Sequence, residues 1–401
     1  MVKRQSQSSD LRVGVIGLGL RGSLAAVIHQ PGRGSIVTAL CDLNPPALAQ
    51  WSDQLHSKGG SAPFVTNDHR ALLGRSDVDA VIVATPDHTH EAIVLGALEA
   101  GKATFCEKPM ATTIEGCDRM LATAMRTGTK LYVGHNMRHF LMVRLMKQLI
   151  DVGTIGVPKA VWCRHFVGHG GDFYFKDWHA QRRHTTSLLL HKGAHDIDVI
   201  HLLAGGTTRS VTGIGGLTVY GDVVDRHDGR KAANWFDPSS NWPPLAQRQL
   251  EREIDVEDLS MIQMSLDNGV LASYQQCHYT PDYWRNYTVI GTEGRIENFG
   301  DIDGVVKLWN KRHDYAADGD RQFPFRSSEG GHGGADERLV SEFVRFATQG
   351  GLTDTSPVAA RDAVAAGCAG AESLRSGGWP VTINALPEVM VTYFANGQVR
   401  A

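Results

Sequence analysis

The chain has 401 residues and 42% hydrophobic content, a length that fits two domains with full cores. Its net charge of −3, carried by short mixed blocks, gives no electrostatic footprint for nucleic acid or a membrane surface. No stretch approaches the ~18 consecutive apolar residues of a membrane helix. The six cysteines (Cys41, Cys106, Cys117, Cys163, Cys277 and Cys368) form no C-x-x-C pair and read as reduced, buried residues of a cytoplasmic protein.

The polar stretch 1–10 gives way to the apolar run Leu11–Ile16, which reads as a buried parallel strand and not as a signal-peptide core. Gly17-Leu18-Gly19-Leu20-Arg21-Gly22 follows, then helical spacing over 23–30 and a second apolar run over 36–41 that ends at Asp42. This is a G-x-G-x-x-G fingerprint with its strand, its helix and an acidic residue 20 positions past Gly22. Gly17 allows the tight turn, Gly19 lets backbone approach a pyrophosphate, and Gly22 lets helix pack on strand. The helix N-terminus offers N–H groups to the phosphates. Asp42 can accept hydrogen bonds from a ribose diol and would repel a 2′-phosphate, so NAD is expected over NADP unless Arg21 offsets it.

Strands are expected at 79–85, 103–106 and 130–133, with helices at 91–100 and 113–126, a rhythm that predicts a doubly wound parallel sheet. An amphipathic helix over 140–152 then connects to a different pattern. Strands at 159–166, 211–220, 259–266, 270–278 and 287–291 lack intervening helices, and Asp267-Asn268-Gly269 reads as a hairpin turn, so the second sheet is expected to be largely antiparallel. One helix is expected at 194–203, a long polar loop at 221–255, and closing helices at 335–348 and 358–376. The fold class is therefore α/β: a Rossmann domain over 10–137 and an α+β domain with a large, mostly antiparallel open sheet over 138–395.

Chemistry is expected at the carboxyl ends of the parallel strands. Lys108, in Cys106-Glu107-Lys108-Pro109, would point toward the cofactor crevice, and a cationic nicotinamide beside it would favour proton transfer; the alternative is a surface lysine on a loop. Trp178, Tyr283, Arg285 and His332 lie in aromatic and basic clusters suited to sugar faces and hydroxyls, or to plain packing. Arg138 offers a planar fork for a hydroxyl or an anionic group, or an interdomain salt bridge. The 18 histidines show no metal-ligand spacing, so no metal is expected.

Four motifs together resemble the glucose–fructose oxidoreductase / inositol dehydrogenase / MocA family: the glycine fingerprint, the loop Ala84-Thr85-Pro86-Asp87-His88-Thr89-His90, the turn Glu107-Lys108-Pro109, and Lys192-Gly193-Ala194-His195-Asp196-Ile197-Asp198. The resemblance covers nearly the whole chain, most tightly 11–205. It implies an NAD(P)-dependent oxidoreductase acting on a carbinol of a sugar, polyol or derivative. It places Ala84, Thr85, Pro86, His90, Glu107, Lys108 and Asn136 against the dinucleotide. It also implies that Lys108 and His195 flank the substrate carbinol, and that the open sheet assembles a homodimer or homotetramer. Members of the family often carry Asp four residues before that His; here the position holds His191, which would accept the proton, bind substrate or orient His195. Asp198 is expected to orient or cap within the helix. A second reading is an NAD-dependent glycosidase that works by transient oxidation, elimination and re-reduction. A third is a non-catalytic NAD-sensing regulator, against which Lys108 and His195 argue.

Overall fold

The computed structural model describes residues 10–229 and 241–399. Part of the polar segment expected as a loop, 230–240, and all but the last residue of the polar N-terminal stretch lie outside them. Six parallel strands form the first sheet: β1 (Leu11–Ile16), β2 (Ser35–Cys41), β3 (Phe64–Thr66), β4 (Ala80–Val83), β5 (Ala103–Cys106) and β6 (Leu131–Val133). Their spatial order is β3-β2-β1-β4-β5-β6. The order reverses between β1 and β4, and this switch point opens the crevice where ligands bind in doubly wound sheets. The inner strands β1 and β4 and the edge strand β6 are short, apolar and buried because helices cover both faces, whereas the edge strand β3 is largely exposed. Thr113 caps the helix Ile114–Thr127 by accepting from the Gly116 N–H, and Gly128 ends it in a left-handed conformation at φ 70°. The helix expected at 23–30 is a single 3-10 turn, Leu20–Ser23, leading into Leu24–Ile28.

The second sheet has nine strands: β7 (Pro158–Phe166), β8 (Thr208–Gly216), β9 (Leu259–Leu266), β10 (Leu271–Cys277), β11 (Trp284–Gly291), β12 (Arg295–Phe299), β13 (Asp303–Trp309), β14 (Arg321–Arg326) and β15 (Val381–Thr382). They lie in the order β14-β13-β12-β11-β7-β10-β9-β8-β15, antiparallel throughout except for the central β7–β10 pair. The Asp267-Asn268-Gly269 turn joins β9 to β10, with Gly269 at φ 80°. One face packs under the helices Leu141–Asp151, Gly193–Ala204 and Pro357–Arg375. The other face carries Trp162, 51% exposed, and Leu271, 61% exposed.

Linear sequence does not divide the two cores. The helix Ala335–Gln349 returns to the first sheet, where Phe343 meets Phe105 edge-on at 5.5 Å and Phe346 packs near Tyr132. Tyr393 and Phe394 of the helix Glu388–Ala395 also join that first core. Hydrophobic matching between these faces drew the chain back across, which no local pattern announces.

Beneath the helix Gly193–Ala204 the buried carboxylate of Asp196 gathers three hydrogen-bond donors and one ion pair. The donors are His165 Nδ1 on β7 at 2.8 Å, Tyr274 Oη on β10 at 2.8 Å and Tyr287 Oη on β11 at 2.5 Å, and the Arg285 guanidinium pairs with it at 2.7 Å. Burial alone would raise this carboxyl, but Arg285 and His165 hold it well below the usual carboxylate range. The anchor fixes the height and rotation of the helix turn that carries His195. Asp196→Ala would strand a buried guanidinium, and we expect a loss on the order of 3–5 kcal/mol in urea unfolding. Asp196→Asn, which keeps an acceptor, is expected to lose less; a loss under ~1 kcal/mol for the alanine variant would show that the network is not structural.

Candidate active site

The carboxyl ends of β1, β2, β4 and β5 carry the glycine loop, Asp42, the Ala84–His90 turn and Glu107-Lys108 respectively. Gly17 sits at φ 94°, and a Cβ there would lie 2.6 Å from the Ala84 carbonyl oxygen, so the first glycine is required twice over. A Cβ at Gly19 would meet nothing within 4 Å. That open space over the loop is room for a pyrophosphate. Asp42 accepts from the backbone N–H of Leu18 at 2.6 Å and of Asn44 at 2.7 Å, which fixes its carboxylate at the loop. Leu20 is exposed at the rim. Asn136 Oδ1 is buried with no protein partner. Loop, carboxylate and orphaned amide together fit a bound dinucleotide.

Arg21 does not face a ribose. Its Nε donates to Glu107 at 2.7 Å and its two terminal nitrogens to Asp336 at 2.9 and 3.1 Å. Asp336 also receives Asn136 Nδ2 at 3.3 Å and His332 Nδ1 at 2.9 Å. His90 is buried, with its ring nitrogens 2.8 Å from the carbonyl oxygens of Pro109 and Thr85. It braces two loops against each other. Thr85 accepts from the hydroxyl of Thr89, and Pro86 precedes the 3-10 turn Asp87–Thr89.

Next to this cradle stand Lys108, His191 and His195. The Lys108–Pro109 peptide is cis. Lys108 Nζ donates to the carbonyl of His191 at 3.2 Å, and desolvation lowers its pKa despite the pull of Asp87. His191 and His195 do not share one helix. His191 closes a short helix, Leu188–His191, and a new one starts at Gly193. His191 Nδ1 donates to Asp87 Oδ2 at 2.6 Å, and the same oxygen accepts from Thr185 Oγ1 at 3.0 Å. A carboxylate only accepts, so Nδ1 carries the proton and Nε2 is left as the basic nitrogen. Burial lowers the His191 pKa from its ordinary value, outweighing the raising effect of Asp87. Tyr174, Trp178 and His179 surround the His191 ring edge-on at 5.6, 5.6 and 4.8 Å. His195 is also pushed well below its ordinary pKa by desolvation and Lys108, and its buried Nδ1 has no protein partner.

Of the other residues expected at the substrate, only Trp178 joins this group, stacked on His179 at 3.7 Å. Arg138 makes the interdomain salt bridge and not the substrate contact: its guanidinium is bidentate to Asp198 at 2.7 Å twice and donates to the Asp354 carbonyl, so no fork remains for a substrate. Arg285 is likewise consumed by Asp196. Tyr283 is 48% exposed and lies edge-on to His165 at 5.5 Å. His332 belongs to the Arg21–Asp336 cluster at the glycine loop. Sequence reasoning passed over Asp87 and Asp336. Asp87 stood inside a quoted motif, and the missing acid at 191 was a signal that a carboxylate had to come from elsewhere.

A dinucleotide cradle beside neutral imidazoles and a desolvated lysine, on a doubly wound sheet joined to a nine-stranded open sheet, defines a nicotinamide-dependent oxidoreductase architecture. The chain belongs to the GFO/IDH/MocA family. Residues 11–135 match the oxidoreductase-family NAD-binding Rossmann fold, and residues 143–297 match the GFO/IDH/MocA C-terminal domain. An inositol 2-dehydrogenase/D-chiro-inositol 3-dehydrogenase of Halalkalibacterium halodurans is 36% identical over 50% of this chain and 55% of its own. A 2,7-anhydro-N-acetylneuraminate hydratase of Mediterraneibacter gnavus is 31% identical over 57% of this chain and 62% of its own. The chain thus spans less than two thirds of both relatives. A levoglucosan dehydrogenase in complex with NADH and levoglucosan shares the fold at TM-score 0.75 and 21% identity, over 94% of this chain and all of that one. No helix among the described residues is long and apolar enough to cross a membrane.

Gly17→Ala forces a Cβ onto the Ala84 carbonyl at a positive φ. We expect it to weaken NAD binding at least tenfold by titration and to lower thermal stability; wild-type affinity would remove the glycine loop from the cofactor site.

Proposed function

We propose that the protein is an NAD-dependent dehydrogenase that oxidises a CH–OH group of a sugar, polyol or sugar derivative. One observation carries this reading: an ammonium, Lys108, and an imidazole oriented by a buried carboxylate, His191–Asp87, meet beside the dinucleotide cradle. NAD, when bound, supplies the hydride acceptor. Lys108 Nζ donates a hydrogen bond to the substrate oxygen and favours its developing negative charge. His191 Nε2 takes the hydroxyl proton, while Asp87 holds the tautomer and stabilises the imidazolium that forms. His195 lines the same carbinol. Trp178 and Tyr174 offer apolar faces for a sugar ring.

Asp42 supports NAD over NADP, since its carboxylate would repel a 2′-phosphate. Arg21, the nearest basic residue of the fingerprint, is pinned by Glu107 and Asp336 and does not offset it. We expect NAD to bind at least tenfold tighter than NADP; equal dissociation constants would overturn the role given to Asp42.

A second reading rests on the two imidazoles. With His191 as one base, His195 could remove a C–H proton next to a transiently oxidised carbon and expel an aglycone. A screen of sugars, polyols and chromogenic glycosides, read for both NADH absorbance and aglycone release, separates the two activities. NADH accumulation without release supports the dehydrogenase.

Lys108→Ala is expected to lower kcat by ~10²–10⁴-fold with NAD binding retained. More than a tenth of wild-type turnover would exclude Lys108 from proton or charge handling. Because protonated His191 cannot accept a proton, kcat/KM should rise with pH as the imidazole deprotonates. Burial lowers that pKa, so the rising limb belongs below ~6.5. Asp87 raises it, so Asp87→Asn should shift the limb to lower pH and reduce kcat on the order of 10²-fold. A slower enzyme with an unmoved limb would mean that Asp87 only props the loop.

A further inference from the structure

His332 stands where the second half of the chain touches the glycine loop. Its Nδ1 lies 2.9 Å from Asp336 Oδ2 and 3.5 Å from Nη1 of Arg21, the fifth residue of the fingerprint. The order of the first sheet tells which half of a dinucleotide this position faces. Asp42 follows β2, on one side of β1, where a carboxylate suits the adenosine ribose. Arg21 reaches the other way. It pairs with Glu107 after β5 and with Asp336, which also receives Asn136 after β6. His332 therefore stands on the nicotinamide side of the crevice.

The backbone is bent to put the ring there. His332 has φ 50°, a left-handed conformation that a residue with a Cβ adopts at a cost and glycine adopts freely. The loop around it is tightly built. A Cβ at Gly331 would come within 2.6 Å of Asp336 Oδ2, and one at Gly333 within 2.6 Å of the Ser327 Cβ. The Gly331 N–H donates to Glu337 and Arg338 donates to the Gly333 carbonyl, each at 3.2 Å. Asp336 does not depend on the imidazole, since both its oxygens already accept from Arg21. Strain at a half-exposed ring beside a ligand loop marks a functional position. A carboxylate only accepts, so Nδ1 carries the proton and Nε2 of the neutral ring is an acceptor. Among the described residues Nε2 has no hydrogen-bond partner. A pyrophosphate has no proton to give it, whereas a ribose diol has two.

We propose that His332 accepts a hydrogen bond from a hydroxyl of the nicotinamide ribose and so clamps the cofactor from the second domain. The contact goes beyond the dehydrogenase reading, since it needs a bound dinucleotide and no particular substrate. The test is calorimetric titration of the full chain at pH 8 with NAD, ADP-ribose and ADP. ADP-ribose keeps both riboses and lacks nicotinamide; ADP lacks the second ribose as well. His332→Asn tolerates a positive φ and keeps an N–H for Asp336, but is too short to present an acceptor where Nε2 stood. It should weaken NAD and ADP-ribose about three- to tenfold, the worth of one neutral hydrogen bond, and leave ADP unchanged. The melting temperature of the nucleotide-free protein should stay at the wild-type value. His332→Ala should give the same pattern among the three nucleotides. Unmoved NAD affinity in His332→Asn overturns the contact. So does an equal loss for ADP, which would put the ring at the pyrophosphate, or a loss confined to NAD, which would put it at the nicotinamide. A drop in melting temperature with all three nucleotides weakened would reduce His332 to a prop for Asp336.

Discussion

The carboxylate of Asp87 is the hinge of the design. It leaves the nucleotide half in the turn after β4, is buried on arrival, and accepts from His191 and Thr185 of the second half. Taking a charge out of water is tolerated only when donors meet it. That requirement locks the segment 185–191 against the parallel sheet. It also selects the tautomer of His191, and through the His191 carbonyl it fixes the end of Lys108. The His191 ring, the segment that carries it and the end of Lys108 are therefore all tied to one anion.

The remaining cross-ties divide the labour between adhesion and registry. Phe105, Tyr132, Phe343 and Phe346 bury a dry aromatic face that holds the returning helix to the first sheet. Apolar burial of that kind supplies net stability. Arg21 with Glu107 and Asp336, and Arg138 with Asp198, add direction and little net energy, because the desolvation of each ion offsets most of its attraction. Removing one partner would still be damaging, since the other would remain buried and unpaired. The Arg21 cluster matters most for function: it places the glycine loop, the turn of Glu107 and the helix carrying Asp336 around one guanidinium.

Burial sorts the many histidines by role. His165 is depressed to about 3 and His201 to about 4, and each donates or accepts inside a structural network far from any exchangeable ligand. His191 and His195 are lowered by the same desolvation, but they stand beside Lys108 at the carboxyl end of the first sheet. Asp87 sets the direction of the His191 ring and Asp196 that of His165.

Local sequence determined the first sheet and its cofactor loop, because buried parallel strands read as apolar runs and the glycine turn needs specific residues at fixed spacing. It also determined the hairpin at Gly269, the helix stop at Gly128, and the family motifs around Lys108 and His195. It did not show β3 or β12 to β14, which are short or carry charged residues among the apolar ones. Partner choice was decided only by the tertiary structure. His191 finds Asp87 across 104 positions and Arg21 finds Asp336 across 315, while Arg138, equally suited to a substrate, meets Asp198 60 positions on. A sequence displays which charges exist and how they are spaced along a strand or helix. Which of them neutralise one another, and which are left facing a ligand, depends on distances that exist only after the two sheets have packed.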